Sequence, residues 1–155
     1  MLNFTGSLSL SGDALVIFIS EKYEFIGKNN LLSKDIMPKV HSFIKSLKNK
    51  KQDDTINSMD ITESKKCFVV KISNNNDNSY FEEIGGILFT KISSFKDIKS
   101  IDIFADTLIK KNNQFAKYFS EFIFGFNLKG YTFNKYKTLD KKKIDKKISI
   151  KIISS

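Results

Sequence analysis

His41 and Cys67, the single histidine and single cysteine of this chain, are its two side chains best suited to hold a metal or attack an electrophile. Together they make neither site. A zinc ion takes three or four His, Cys or carboxylate ligands, and these two residues fall in different stretches of sequence. A Cys–His catalytic pair needs an exposed, activated thiolate. Cys67 sits in an apolar run and reads as a small core residue, while His41 lies beside the apolar stripe of a helix and reads as solvated. One cysteine also excludes an internal disulfide. The carboxylate pairs Glu82/Glu83, Asp53/Asp54 and Asp102/Asp106 are what 17 acidic residues produce by number alone. Gly85-Gly86, the only glycine pair, lies inside a helical pattern and matches neither G-x-G-x-x-G nor a P-loop. Mid-helix glycines cost about 1 kcal/mol each, so the pair implies a close packing contact, expected between helix and sheet.

The remaining chemistry is charge. All 26 basic residues are lysine and the net charge is +9. Between Lys135 and Lys151 there are eight lysines against Asp140 and Asp145, so this segment supplies +6 of the total. Lys141, Lys142, Lys143, Lys146 and Lys147 are its candidate nucleic-acid contacts; the plainer reading is a solvated loop. Lysine is a point charge suited to phosphate, whereas bidentate reading of bases favours the absent arginine. Any DNA contact is therefore expected to be weak and non-specific.

The elements that would carry these groups follow from periodicity. Phe4–Leu10 alternates loosely and reads as a short edge strand. Ala14–Ile19 is a continuous apolar run, the pattern of a strand covered on both faces. A helix over 34–48 places Ile36, Val40, Phe43, Ile44 and Leu47 on one stripe, with Pro38 in its first turn, where the missing N–H costs least. Thr55–Ile61 is a weak strand candidate and Cys67–Ile72 a strong one. After the polar run 73–78, Ser79-Tyr80-Phe81-Glu82 has capping-box spacing and opens a second helix bearing Phe81, Ile84, Leu88, Ile92 and Phe95. Ile101–Ala105 is a further strand. A third helix over 112–128 buries Phe115, Phe119, Phe122, Ile123 and Phe126, and Ile148, Ile150 and Ile152 form the last strand. This alternation predicts one α/β domain over 1–155, with a mixed, largely parallel sheet flanked by helices. At this length about 70% of the unfolded surface can be buried. No run approaches the roughly 18 apolar residues of a membrane span, and the first residues lack the pattern of a signal peptide. A soluble, cytoplasmic protein without membrane partners is expected.

The third helix leads into Gly130-Tyr131-Thr132-Phe133-Asn134-Lys135-Tyr136-Lys137-Thr138, whose rings read as anchors pinning the helix exit to the core. This stretch, with Gly125, Tyr131, Phe133, Tyr136 and Lys137 as its closest matches, resembles the non-catalytic N-terminal domain of the leucyl (cytosol) aminopeptidases. The strand Cys67–Ile72 and the helix carrying Glu83-Ile84-Gly85-Gly86 are similar to the family's strand and helix with paired glycines. Asn74-Asn75-Asn76 stands where the family has a glycine loop, and Phe124 where it usually has a glutamate.

The resemblance implies a macro-domain-like fold and a chain that works beside a C-terminal catalytic domain, in a homo-hexamer that releases N-terminal amino acids from peptides. The two divalent ions of such an enzyme, zinc or manganese, belong to that catalytic domain. Its Asn-Thr-Asp-Ala-Glu-Gly-Arg stretch is absent here, so this chain receives no catalytic residue, metal ligand or cofactor. The competing expectation is an independent macro-like module that binds nucleic acid or a nucleotide. If four to six lysines neutralise phosphates, log affinity for duplex DNA should fall with log salt at a slope of about −4 to −5. Replacing Lys141, Lys142 and Lys143 by glutamine should flatten it by about 3 units, measured by salt titration of a labelled duplex. Equal slopes place the contact elsewhere.

Overall fold

In the computed structural model the described residues are 2–5, 10–25, 32–73, 79–108, 114–131 and 147–154, residues 2–5 by backbone alone. Six strands and three α-helices form in chain order: β1 (Leu2–Thr5), β2 (Ala14–Ser20), α1 (Met37–Asn49), β3 (Ile56–Thr62), β4 (Lys65–Ile72), α2 (Tyr80–Ser93), β5 (Ser100–Phe104), α3 (Phe115–Gly130) and β6 (Ser149–Ile153). The single sheet has the order β1-β6-β5-β2-β4-β3. Every pairing is parallel except that of β3 with β4. The first strand starts earlier than expected, at Leu2, and sits on the sheet edge beside β6.

The apolar run of β2 has a direct explanation. Ala14, Val16 and Phe18 point to the face covered by α2 and α3. Leu15, Ile17 and Ile19 point to the face covered by α1. A central parallel strand with helices on both sides has no polar face to show. β4 divides its side chains in the same way, with Phe68 and Val70 on one side and Cys67 and Val69 on the other. On α1, Met37, Val40, Ile44 and Leu47 are buried and Pro38 occupies the first turn.

Two polar devices hold the amino ends of the central strands. The Asp13 carboxylate accepts hydrogen bonds from the Lys99 and Ser100 backbone N–H groups, both at 2.9 Å, and from the Ser100 hydroxyl at 2.8 Å. The Asp13 N–H donates to the Ser100 carbonyl and the Asp13 carbonyl accepts from Lys66, which ties β5, β2 and β4 together. Burial alone would raise the Asp13 carboxyl, but those hydrogen bonds and the Lys65 charge together hold it below the usual range. On β5, Asp102 is buried and its Oδ2 accepts the Gly12 N–H at 2.8 Å. A Cβ at Gly12 would stand 2.9 Å from the Asp102 Cγ, so only glycine lets the chain cross there.

Two expectations need correction. Ser79 does precede α2, but its side chain makes no capping hydrogen bond, so neither it nor Glu82 completes a capping box. Ser79 has ψ near 2° rather than the extended geometry that aims a cap oxygen at the first turn. The glycine contact is also of a different kind, since it joins helix to helix. A Cβ at Gly85 would land on the Phe122 carbonyl oxygen, with the Phe126 backbone nitrogen at 2.8 Å. A Cβ at Gly125 would land on the Glu82 carbonyl oxygen, with the Glu82 Cα at 2.8 Å. Gly86, by contrast, has nothing closer than 3.8 Å.

The three glycines should therefore separate sharply under substitution. Gly85→Ala and Gly125→Ala force backbone apart and should each cost more than about 3 kcal/mol, beyond the usual overpacking range of about 1–3 kcal/mol. Gly86→Ala should be neutral or stabilise by up to about 1 kcal/mol through helix propensity. Urea unfolding of the three variants checks this. Equal loss at all three positions would contradict the contact.

Candidate functional site

In open α/β sheets the ligand crevice lies beyond the carboxyl ends of the strands, where the strand order reverses. Here the chain leaves β2 toward β4 and β3, then returns to β5 on the other side, so that point falls between β2 and β5. The two strands pair only from Ala14↔Ile101 to Val16↔Ile103 and then part. The backbone N–H of Phe18 consequently has no strand partner on that side. Thr107 supplies one: its hydroxyl accepts the Phe18 N–H at 3.0 Å and donates to the Phe104 carbonyl at 2.7 Å. Thr107 belongs to a 3-10 turn, Ala105–Thr107, that follows β5. Ala105, Thr107 and Leu108 are all buried, so this turn packs into the sheet beside β2 where β5 leaves it.

The neighbouring carboxyl ends of β2 and β4 are also closed by polar contacts. Tyr23 has φ of 62°, a left-handed conformation that costs a non-glycine residue about 1–2 kcal/mol. Its hydroxyl donates to the Gln52 carbonyl at 2.6 Å. The Lys71 ammonium donates to the same carbonyl at 3.0 Å and lies 5.1 Å from the centre of the Tyr23 ring. The Tyr80 hydroxyl accepts the Ser73 N–H at 2.7 Å. Burial, reinforced by the Glu21 charge, pushes that hydroxyl's pKa up against the opposing hydrogen bond.

The residues singled out from sequence are scattered. Gly125 is the helix contact described above. Tyr131 follows α3 but is 70% exposed, so it does not pin the helix exit to the core, contrary to expectation. The α3 backbone ends one residue earlier, and the last turn is held by the Tyr131 N–H on the Leu128 carbonyl. Lys147 is exposed ahead of β6. Phe133, Tyr136, Lys137, Lys141, Lys142, Lys143 and Lys146 lie outside the described residues. His41 is exposed on α1 with its ring edge-on to Phe25. Cys67 is buried, which pushes its thiol up to about 12. Among the described residues His, Cys, Asp and Glu nowhere gather in a group of three able to hold a metal. Thr107, Tyr23 and Lys71 escaped the sequence reading, because a buried hydroxyl and a left-handed tyrosine leave no periodic signature.

No family model matches the chain. No curated protein sequence matches it either. Solved structures do. The macrodomain of Thermus aquaticus DarG superposes with a TM-score of 0.67 at 14% identity, over 100% of this chain and 99% of that one. The fold is a macrodomain fold. The macrodomain of Mycobacterium tuberculosis DarG gives 0.67 at 11% identity, again over 100% and 99% of the two chains. A point mutant of tomato leucine aminopeptidase gives 0.69 at 14% identity, over 99% of this chain but 32% of that longer chain. No helix among the described residues of this macrodomain fold is long and apolar enough to cross a membrane.

Two substitutions test the geometry. Thr107→Val keeps the shape but strands the buried Phe18 N–H, and should cost about 1–3 kcal/mol. Thr107→Ser, which keeps the hydroxyl, should cost distinctly less, as read by urea unfolding. The Cys67 thiol stays protonated in the fold up to about pH 12 but ionises near 9.0 once unfolded. The folded state then holds one more proton across that window, so stability should fall with rising pH by about 1.4 kcal/mol per unit. The difference in stability between wild type and Cys67→Ala should change with this slope above pH 9 and be flat below it. A difference that stays flat throughout would mean the thiol is accessible to water.

Proposed function

We propose that this chain is a non-catalytic macrodomain-fold unit of the leucyl aminopeptidase kind, serving assembly or regulation of a metal-dependent exopeptidase. The observation that carries this reading is the way the chain closes the sheet where β2 and β5 part: the Thr107 hydroxyl takes the Phe18 N–H, with Ala105 and Leu108 buried beside it. The likeness to tomato leucine aminopeptidase over 99% of this chain supports it, as does the sequence resemblance at Gly125 and Tyr131. In this reading the release of N-terminal amino acids, the zinc or manganese ions, the homo-hexamer and the cytoplasmic location are properties of the whole enzyme. The two ions would sit in a separate catalytic domain.

A second reading rests on the match to DarG macrodomains along 99% of their own length. It makes the chain an independent module for a nucleotide or nucleic acid, with the lysines near its C-terminus as the phosphate contacts. The two readings differ in a calorimeter. Titration of the chain with purine and pyrimidine nucleotides should show no saturable heat, and leucine p-nitroanilide with added manganese or zinc should not be turned over. Saturable nucleotide binding would overturn the assembly reading in favour of the module. Turnover above a buffer control would overturn both. An in-frame peptidase domain found beside this segment in its gene would support the first.

A further inference from the structure

The outer surface of α2 and α3, opposite the sheet, is unusual for a chain of this charge. The four large apolar side chains exposed among the described residues are Ile87 at 48%, Phe124 at 56%, Leu128 at 52% and Tyr131 at 70%. All four lie on this pair of helices or at the end of α3. Phe124 and Leu128 are spaced i, i+4 and so share one stripe of α3, with Tyr131 following just past the end of the helix. Ile87 and Leu128 line a groove of about 460 Å³ together with Gly86 and Gly125. Single exposed apolar residues are ordinary, but a contiguous stripe beside a groove marks an interaction surface.

The charges around the groove indicate what covers it. The chain carries +9 overall, yet the groove is lined at one end by Glu82 and Glu83 and at the other by Lys129. Gly86 and Gly125 lie between them. None of the three charged residues makes an ion pair with another described residue: the pairs formed are Lys66–Asp60 and, along α3, Lys117–Glu121. A surface with acid at one end, base at the other and an apolar centre is complementary to itself after a half-turn. That is the requirement of an isologous two-fold interface, in which the same patch meets itself. Glu82 and Glu83 would repel a polyanion.

We infer that the groove between α2 and α3 is the interface of a two-fold homodimer of this chain. Ile87 and Leu128 form its apolar centre with exposed Phe124 of α3 as a further apolar contact, and Glu83 of each copy meets Lys129 of the other. Dimerisation here is independent of whether the β2–β5 gap takes a nucleotide, so this inference and the proposed function fail separately.

The test is sedimentation equilibrium of the chain, with circular dichroism melting of each variant to confirm folding. Wild type should be dimeric. Leu128→Glu, at a position already half exposed, should leave the melt intact and weaken dimerisation at least 100-fold, about 2.8 kcal/mol by the tenfold-per-1.4 conversion. Glu83→Lys and Lys129→Glu should each weaken the dimer, and the double variant Glu83→Lys/Lys129→Glu should restore it, because each copy then presents the reversed pair. A wild-type chain that stays monomeric at its highest soluble concentration overturns the inference. So does a dimer indifferent to Leu128→Glu, which would use another face. Failure of the double variant to recover, with its melt intact, overturns the two-fold pairing of Glu83 with Lys129. If Leu128→Glu is lost to folding, Ile87→Lys on the other helix takes its place with the same expected outcome.

Discussion

The backbone-to-backbone approach of α2 and α3 governs the rest of this structure. Gly85 leaves room for the Phe122 carbonyl, and Gly125 leaves room for the Glu82 carbonyl. Neither glycine is there for its conformational freedom, since both are helical and pay for that in propensity. What they supply is nearness. With the helices this close, Phe81, Ile84 and Leu88 from one and Phe119, Phe122 and Phe126 from the other fill a single layer on the sheet. The rings meet edge-on or stacked, as with Phe18–Phe122 at 5.2 Å, Phe89–Phe126 at 5.2 Å and Phe81–Tyr118 at 4.5 Å. Such pairs add about 0.5–1.5 kcal/mol each beyond the area they bury. Gly130 extends the arrangement, because a Cβ there would stand 2.8 Å from the Phe89 ring. A side chain at Gly85 or Gly125 would lift one helix and void that whole aromatic layer.

The central strand β2 is secured differently at its two ends, and the difference follows from topology. At the amino end the three strands run together, and one carboxylate, Asp13, can gather donors from Lys99 and Ser100. Its lowered pKa means that this clamp is complete at neutral pH and weakens only as acid protonates the carboxyl. At the carboxyl end the chain has changed direction and β2 parts from β5, leaving a backbone N–H without a partner. An unmet N–H inside a protein costs as much as a lost hydrogen bond, so Thr107 is as much a part of the sheet as any strand residue. Asp102 marks the limit of this economy. It is buried with Oδ2 bonded to Gly12, while Oδ1 has no hydrogen-bond partner among the described residues.

The layered α/β architecture was legible because its signals are periodic. β2 and β4 read as continuous apolar runs, and the three helices as stripes at a 3.6-residue period, since both patterns report faces that must be covered. The helix-to-helix glycine contact was visible as a contact but not as to its partner. Gly85-Gly86 shows that something approaches α2, and nothing in a single sequence says that it is α3. The capping box failed for a related reason: Ser79 and Glu82 have the spacing, but the cap also requires an extended Ser79, whose ψ is near 2°. Tyr131 was misread because an aromatic ring after a helix can face the core or the solvent with the same sequence. Thr107 was unreadable, since its role exists only once β2 and β5 have diverged.

Sharing a macrodomain fold with both DarG and a leucine aminopeptidase does not by itself choose a function, because a fold fixes where a site can be rather than whether it is kept. The strand order fixes the reversal point between β2 and β5, and there Thr107, buried with Ala105 and Leu108, takes the Phe18 N–H. Among the described residues the large exposed apolar side chains lie on α2, on α3 and just past its end. Gly125, one of the two glycines that draw those helices together, also lines the groove between them. One packing constraint thus builds the aromatic core on its inner side and bounds the groove on its outer side, which is the surface that the proposed assembly role would use.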